Sequence, residues 1–228
     1  MKNIFITGGS RGIGKGLVEQ FSKNHKVIFT VRDKNQARLI VDSFEHNNAD
    51  YVIMDVGENE SVQNGVKNLK SKISSVDILI NNAGILIPGL KHKINAIDTD
   101  IDTIMETFNI NTVGVLRVCK AITPFMQPNS RIINISSGMG QLEGMGTGSL
   151  AYRLSKTALN AMTIVLSQEL MEKKIKVNAI CPGWVQTDMG GHDASLTVQE
   201  SVESIKKFAL DGNFPSGKFL RHGEVLPW

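Results

Sequence analysis

Short apolar runs alternate with stretches of helical period along the chain, and this alternation constrains the fold more than any other feature. Ile4–Thr7, Val27–Val31, Tyr51–Met54, Asp77–Ile80, Arg131–Ile135 and Lys176–Ile180 read as strands. They carry few polar positions, as expected of strands covered on both faces. Between them, Ile13, Leu17 and Phe21 share one helix face, and Val62, Val66, Leu69 and Ile73 share another. Strands separated by helices imply right-handed crossovers and a parallel sheet. The 228 residues fit one domain, 1–228, which we expect to be a doubly wound α/β sheet of seven strands with helices on both faces. The last strand falls near Gly217–Leu220. Such sheets bind ligands beyond the carboxyl ends of their strands. Three segments read as loops at that edge: 84–96, 138–149 (with Gly138, Gly140, Gly144, Gly146 and Gly148) and 182–196.

The turn Thr7-Gly8-Gly9-Ser10-Arg11-Gly12-Ile13-Gly14 joins the first strand to the first helix. Glycines let the backbone approach a phosphate closely, and a helix N-terminus offers it free N–H groups and partial positive charge. A Gly-rich turn is weak evidence alone. Placed between a first strand and a first helix, it marks a Rossmann-type dinucleotide site. The second strand ends Val31-Arg32-Asp33. A basic residue there welcomes a ribose 2′-phosphate, and an acidic one bonds the 2′-hydroxyl. Arg32, with Arg11 as a second cation, points to NADP(H) over NAD(H) through charge-assisted bonds. If Asp33 faces the ribose instead, the preference weakens or reverses.

Tyr152-Arg153-Leu154-Ser155-Lys156 opens a helical pattern that runs to about Lys173. Tyr152 and Lys156 lie on one helix face, being four apart. A tyrosine of ordinary pKa near 10 is a poor base at neutral pH, and a neighbouring ammonium lowers that value. Ser136-Ser137 follows the fifth strand, where a hydroxyl reaches the same crevice and can bond a carbonyl oxygen. Asn111 lies near the start of another helical segment, where a helix N-cap is the competing reading.

Composition narrows the classes. A net charge of +3, with scattered Lys and Arg, gives no case for a nucleic-acid partner. No apolar run approaches the ~18–20 residues of a membrane span, and the run Ile4–Thr7 is shorter than a signal-peptide core. Cys119 and Cys181 form no CxxC pair, which suits a reducing cytoplasm. Asp98, Asp100 and Asp102 alternate as in a calcium loop, but Thr103 and Asn109 occupy the positions that need Gly and Glu. His25, His46, His92, His192 and His222 show no metal-binding spacing, and we expect no metal.

In order along the chain stand Thr7-Gly8-x-x-x-Gly12-x-Gly14, Asp55-Val56, Asn81-Asn82-Ala83-Gly84, Asn111, Ser137, Tyr152-x-x-x-Lys156 and Pro182-Gly183-x-x-x-Thr187. In these motifs the sequence resembles the short-chain dehydrogenase/reductase family. The stretch Pro182–Gly191 and the ending Gly217-Lys218-Phe219…Leu226-Pro227-Trp228 are most similar to its carbonyl-reductase-like (sniffer/C-factor-type) branch. The resemblance implies hydride transfer between NADPH and a small carbonyl or alcohol, with Tyr152 as general acid/base and Lys156 holding the nicotinamide ribose and tuning it. It implies that Ser137 orients the carbonyl and that Asn111 supports a water-linked proton path. Gly8, Ser10, Arg11, Gly12, Ile13 and Gly14 would then hold the pyrophosphate side, with Arg32 at the 2′-phosphate. Asp55 and Val56 would meet the adenine, with Asn82, Ala83 and Gly84 on the adenosine side. Pro182, Gly183, Val185 and Thr187 would bracket the carboxamide. The family's habit of pairing the helices around 111–125 and 152–171 implies a homodimer or homotetramer.

The chain also departs from the pattern. Ser137 and Tyr152 lie 15 positions apart, two more than the family commonly shows, which leaves Ser136 as a substitute for Ser137. Ile85, Leu86, Ile87, Leu142, Met145, Trp184 and Met189 suggest an apolar carbonyl compound. Two rivals remain: a nucleotide-binding sensor or signalling protein with little catalysis, and another Rossmann enzyme such as a methyltransferase or epimerase.

Overall fold

Branched apolar residues at alternating positions set the strands, because successive side chains of a strand point to opposite faces. The computed structural model describes residues 1–44, 48–87 and 94–228. His46, His92 and the middle of the expected 84–96 loop lie outside the described residues. One sheet contains β1 (Asn3–Ile6), β2 (Lys26–Val31), β3 (Ala49–Ile53), β4 (Val76–Asn81), β5 (Met126–Ile135), β6 (Lys176–Ile180), β7 (Phe219–Arg221) and β8 (Glu224–Leu226). Their order is β3-β2-β1-β4-β5-β6-β7-β8. The first seven pair in parallel, and β8 returns antiparallel to β7.

Phe5 faces one apolar layer, with Val62, Val66 and Leu69 of α3 (Asn59–Lys70), Val118 of α5 (Gly114–Ile122) and Leu159 of α6 (Leu150–Glu169). Its neighbours Ile4 and Ile6 face the other, with Leu17 and Phe21 of α1 (Gly12–Ser22), Ala37 and Ile40 of α2 (Lys34–Asp42) and Val202 and Ile205 of α7 (Val198–Leu210). Helices therefore cover both faces. Strand order reverses between β1 and β4, and the carboxyl ends there part to leave a crevice.

Four details differ from the expectations. Among the described residues the sheet has eight strands, not seven. His222 and Gly223, with φ of 50° and 89°, form the two-residue turn that adds β8. β5 starts at Met126 rather than Arg131, pairing Met126 with Val76 before a register shift. α6 ends at Glu169, and the chain then turns through a left-handed Lys174. Asn111 is not an N-cap: it sits buried in a five-residue π-turn, Asn109–Val113, between α4 (Ile101–Phe108) and α5. Asp100 caps α4 through the Thr103 N–H at 2.9 Å, which accounts for the aspartates there as a helix start.

Candidate active site

The crevice floor is the turn between β1 and α1. Gly8 has φ of +70°, and a Cβ on it would lie 2.9 Å from Ala83 Cα. A Cβ on Gly14 would collide with the Gly8 carbonyl. Only glycine at both positions lets the turn close this tightly. Thr7 Oγ1 accepts the N–H groups of Asn82 and Ala83, and Asn82 Nδ2 donates to the carbonyls of Thr7 and Gly8, all at 3.0 Å. Thr30 Oγ1 accepts the Gly8 N–H at 2.9 Å, a support that no sequence signal marked. No side chain caps α1, and its first turn holds no acid. Its leading N–H groups thus face the crevice with no side-chain acceptor, which suits a bound phosphate.

The structure gathers most of the expected residues around this crevice. Gly8, Ser10, Arg11, Gly12, Ile13, Gly14, Arg32, Asp55, Val56, Asn82, Ala83, Gly84, Tyr152, Lys156, Pro182 and Thr187 all line it. Thr30, Val31, Met54, Ile110 and Asp188 join them without having been singled out. Asp33 is not on the crevice wall: its carboxylate caps α2 by accepting the Asn35 N–H at 2.8 Å. Arg32 remains on the crevice wall. Arg11 pairs with Asp188 at 3.1 Å, bridging the glycine turn to the loop after β6. Both side chains are exposed, so the pair is worth little and yields readily to a phosphate.

Gly183 and Val185 do not line the crevice. Val185 is buried and bridges Leu196, and a Cβ on Gly183 would strike the Leu196 side chain, so both shape the 182–196 loop from behind. Trp184 Nε1 donates to Gly190 O at 2.8 Å, stapling that loop, and Met189 borders the opening.

Tyr152 and Lys156 face the crevice one helical turn apart on α6. Lys156 Nζ lies 5.6 Å from the tyrosine ring centre and donates to Ile135 O at 2.8 Å. Ser137 stands close enough to Tyr152 to favour its phenolate, and its Oγ accepts the Met139 N–H at 3.1 Å. Ser136 lines the crevice and Ser137 does not, but the Ser136 hydroxyl is buried and spent on Asn160 Oδ1 at 2.6 Å. Asn111 stands behind the site: its side chain accepts the Ile85 N–H and donates to Ile85 O, both at 2.8 Å, and reaches Ser155 Oγ at 3.1 Å. Gly84 leaves room for it; a Cβ there would lie 3.1 Å from Asn111 Oδ1.

Burial dominates the electrostatics. It pushes Tyr152 up to about 12, against the lowering influence of nearby Ser137. It pulls Lys156 down to about 8. The expectation that the lysine charge would draw Tyr152 downward does not hold in the free protein, because desolvation of the phenolate is the larger effect. A phenol at about 12 stays protonated at neutral pH and is available as an acid.

The family description "short chain dehydrogenase" matches residues 2–195. The chain is 39% identical to the C-signal of Myxococcus xanthus over 159 residues, 67% of this chain and 93% of that protein. Among solved structures, the carbonyl reductase Sniffer of D. melanogaster superposes with a TM-score of 0.90 at 30% identity, covering 100% of both chains. An NADPH-bound carbonyl reductase from chicken fatty liver superposes with a TM-score of 0.89 at 29% identity, covering 100% of this chain and 94% of that one.

Proposed function

The chain belongs to the short chain dehydrogenase family, and from that premise we propose that it is a carbonyl reductase in which Tyr152 protonates the carbonyl oxygen. The observation that carries this reading is the placement of Tyr152 and Lys156 on one face of α6, Nζ 5.6 Å from the ring centre, both lining the crevice that begins at the glycine turn. The protein is an oxidoreductase, and its cofactor is NADP(H) rather than NAD(H). When bound, NADPH supplies the hydride. Ser137 holds the carbonyl oxygen and Tyr152 gives it the phenolic proton. Lys156 holds the cofactor ribose and steadies the tyrosine, and Asn111 fixes the Ile85 backbone and Ser155 around them on the path by which the proton is replaced. The first turn of α1 takes the pyrophosphate, Asp55 and Val56 meet the adenine, and Asn82 to Gly84 flank the adenosine. Pro182 and Thr187 bracket the carboxamide, on a loop that Gly183 and Val185 shape. Ile85 and Met189 on the wall favour an apolar carbonyl compound.

A panel of aldehydes, ketones and quinones, each offered with NADPH and with NADH, tests this reading. Consumption of NADPH with at least one carbonyl supports it. Tight NADPH binding with no turnover across the panel favours the nucleotide-sensing alternative.

Arg32 is the residue on which cofactor choice is expected to turn. Arg32→Asp removes a cation from the 2′-phosphate and adds a repulsive charge. Losing charge-assisted bonds worth about 2–3 kcal/mol raises KM for NADPH about 30–150-fold. KM for NADH falls or holds. Equal effects on both cofactors would remove Arg32 from that role.

We further propose that the 228 residues act as one catalytic domain in the cytoplasm, as a homodimer or homotetramer. Cys119 and Cys181 are both free thiols, as a reducing compartment keeps them. Among the described residues no helix is long and apolar enough to cross a membrane. The packed helices α4 and α6 expose Ile101 and Met105, and Leu154 and Val165. Leu154 and Val165, eleven apart, share one helix face. Val165→Glu would bury a charge in an α6 interface and is expected to weaken association about 100-fold or more. Light scattering reads this as a shift to monomer, and an unchanged assembly would put the interface elsewhere.

A further inference from the structure

Arg221, at the end of β7, has no part in the chemistry above, yet its side chain turns inward to the site. Its Nε and Nη2 both donate to Cys181 Sγ, each at 3.2 Å. The same sulfur receives the Gly138 N–H at 3.2 Å. Sulfur is a weak acceptor, and here three donors converge on one that is 4% exposed. Gly138 directly follows Ser137. Its missing side chain is what admits the guanidinium, because a methyl group there would collide with Arg221 Nη2.

The other flank of this loop is held by α6. Thr157 Oγ1 and Asn160 Nδ2 donate to Gly140 O at 2.9 and 3.2 Å. Ser137 Oγ, which also accepts the Met139 N–H at 3.1 Å, is therefore suspended between α6 and the Cys181–Arg221 contact. Cys181 follows β6, Arg221 ends β7, and Cys181 N donates to Leu220 O at 2.8 Å, so the contact joins two strand ends.

We propose that Arg221 is a positioning residue which, through Cys181 and the Gly138 N–H, fixes the loop that aims Ser137 at Tyr152. This rests on the reading of Ser137 and Tyr152 as the carbonyl-holding and proton-donating pair. Arginine suits the task because its rigid planar fork brings two N–H groups to one acceptor, which a lysine ammonium on a flexible stem does not.

The test compares Arg221→Gln, Arg221→Lys, Cys181→Ala and the Arg221→Gln/Cys181→Ala double variant in the full chain with NADPH. A loosened Ser137 misplaces the carbonyl without touching the cofactor site. Arg221→Gln is expected to lower kcat about tenfold, with KM and Kd for NADPH within about twofold of the parent. Arg221→Lys recovers part of that loss. The double variant loses no more than the worse single variant, because both break one contact. Losses that multiply in the double variant overturn the proposal, as do single variants whose kcat equals the parent's. If Arg221→Gln does not fold, Gly138→Ala displaces the same guanidinium and takes its place in the cycle. A parent protein that binds NADPH but reduces nothing overturns both the reductase reading and this role. A parent that turns over, with variants indistinguishable from it, overturns the role alone.

Discussion

Tyr152→Phe is expected to lower kcat by about 10²–10⁴-fold, the usual contribution of a positioned general acid. The change removes one oxygen and keeps the ring. Tyr152 is 8% exposed, packed at the start of α6, so the ring's packing survives and Kd for NADPH stays within about twofold. The loss falls on kcat because the phenolic proton is needed only as negative charge develops on the carbonyl oxygen. Ser137 still holds that oxygen and leaves a residual rate. Steady-state kinetics with a fluorescence titration of NADPH separate the two effects. A variant that keeps its kcat, or loses cofactor binding in proportion to activity, contradicts the assignment.

Lys156→Met is expected to abolish most activity while making the free protein more stable. Lys156 is 4% exposed, and burial pulls its ammonium down to about 8 from the ordinary lysine value. At neutral pH the folded chain therefore carries a charge that its surroundings disfavour by on the order of 3 kcal/mol. The hydrogen bond to Ile135 O offsets about 1–2 kcal/mol of this and is lost with the ammonium. A methionine of similar shape then leaves a net gain of about 1–2 kcal/mol, or a rise in Tm of about 2–8 °C for a chain of this size. The pH dependence has a definite sign. Between about pH 8 and the ordinary lysine value the unfolded chain binds the proton and the folded one has released it. Stability of the parent therefore rises with pH across that window, and below it the full penalty remains. The variant lacks this rise. Thermal melts from pH 6 to 10 by calorimetry check it, together with a fall in kcat of about 100-fold or more. A variant less stable than the parent at neutral pH would show that the buried ammonium is compensated by the fold.

Much of this was legible in the sequence because the relevant signals are local. The glycine turn, the helical spacing of Tyr152 and Lys156, and the strands that precede Asn82 and Ser137 each leave a pattern within a few residues. What escaped is set by contacts between distant segments. Arg221 meets Cys181 from 40 positions away and Arg11 meets Asp188 from 177, and neither pair leaves a periodic trace. β8 is three residues long, partly exposed, and turned by His222-Gly223 rather than by a familiar hairpin dipeptide. The π-turn at Asn111 exists because that side chain is spent on Ile85 and Ser155, partners the sequence does not place beside it. The direction of the Tyr152 shift was missed for a similar reason. Charge spacing along a helix can be read from residues, whereas the depth of burial that outweighs it depends on the whole crevice.

The most direct measurement follows a deuterium label from the hydride position of NADPH into product. The expected product is an alcohol with one deuterium on the former carbonyl carbon, formed at a rate that collapses in Tyr152→Phe. NADPH that binds tightly but delivers no label to any carbonyl of the panel, or label transfer undiminished in Tyr152→Phe, would contradict it.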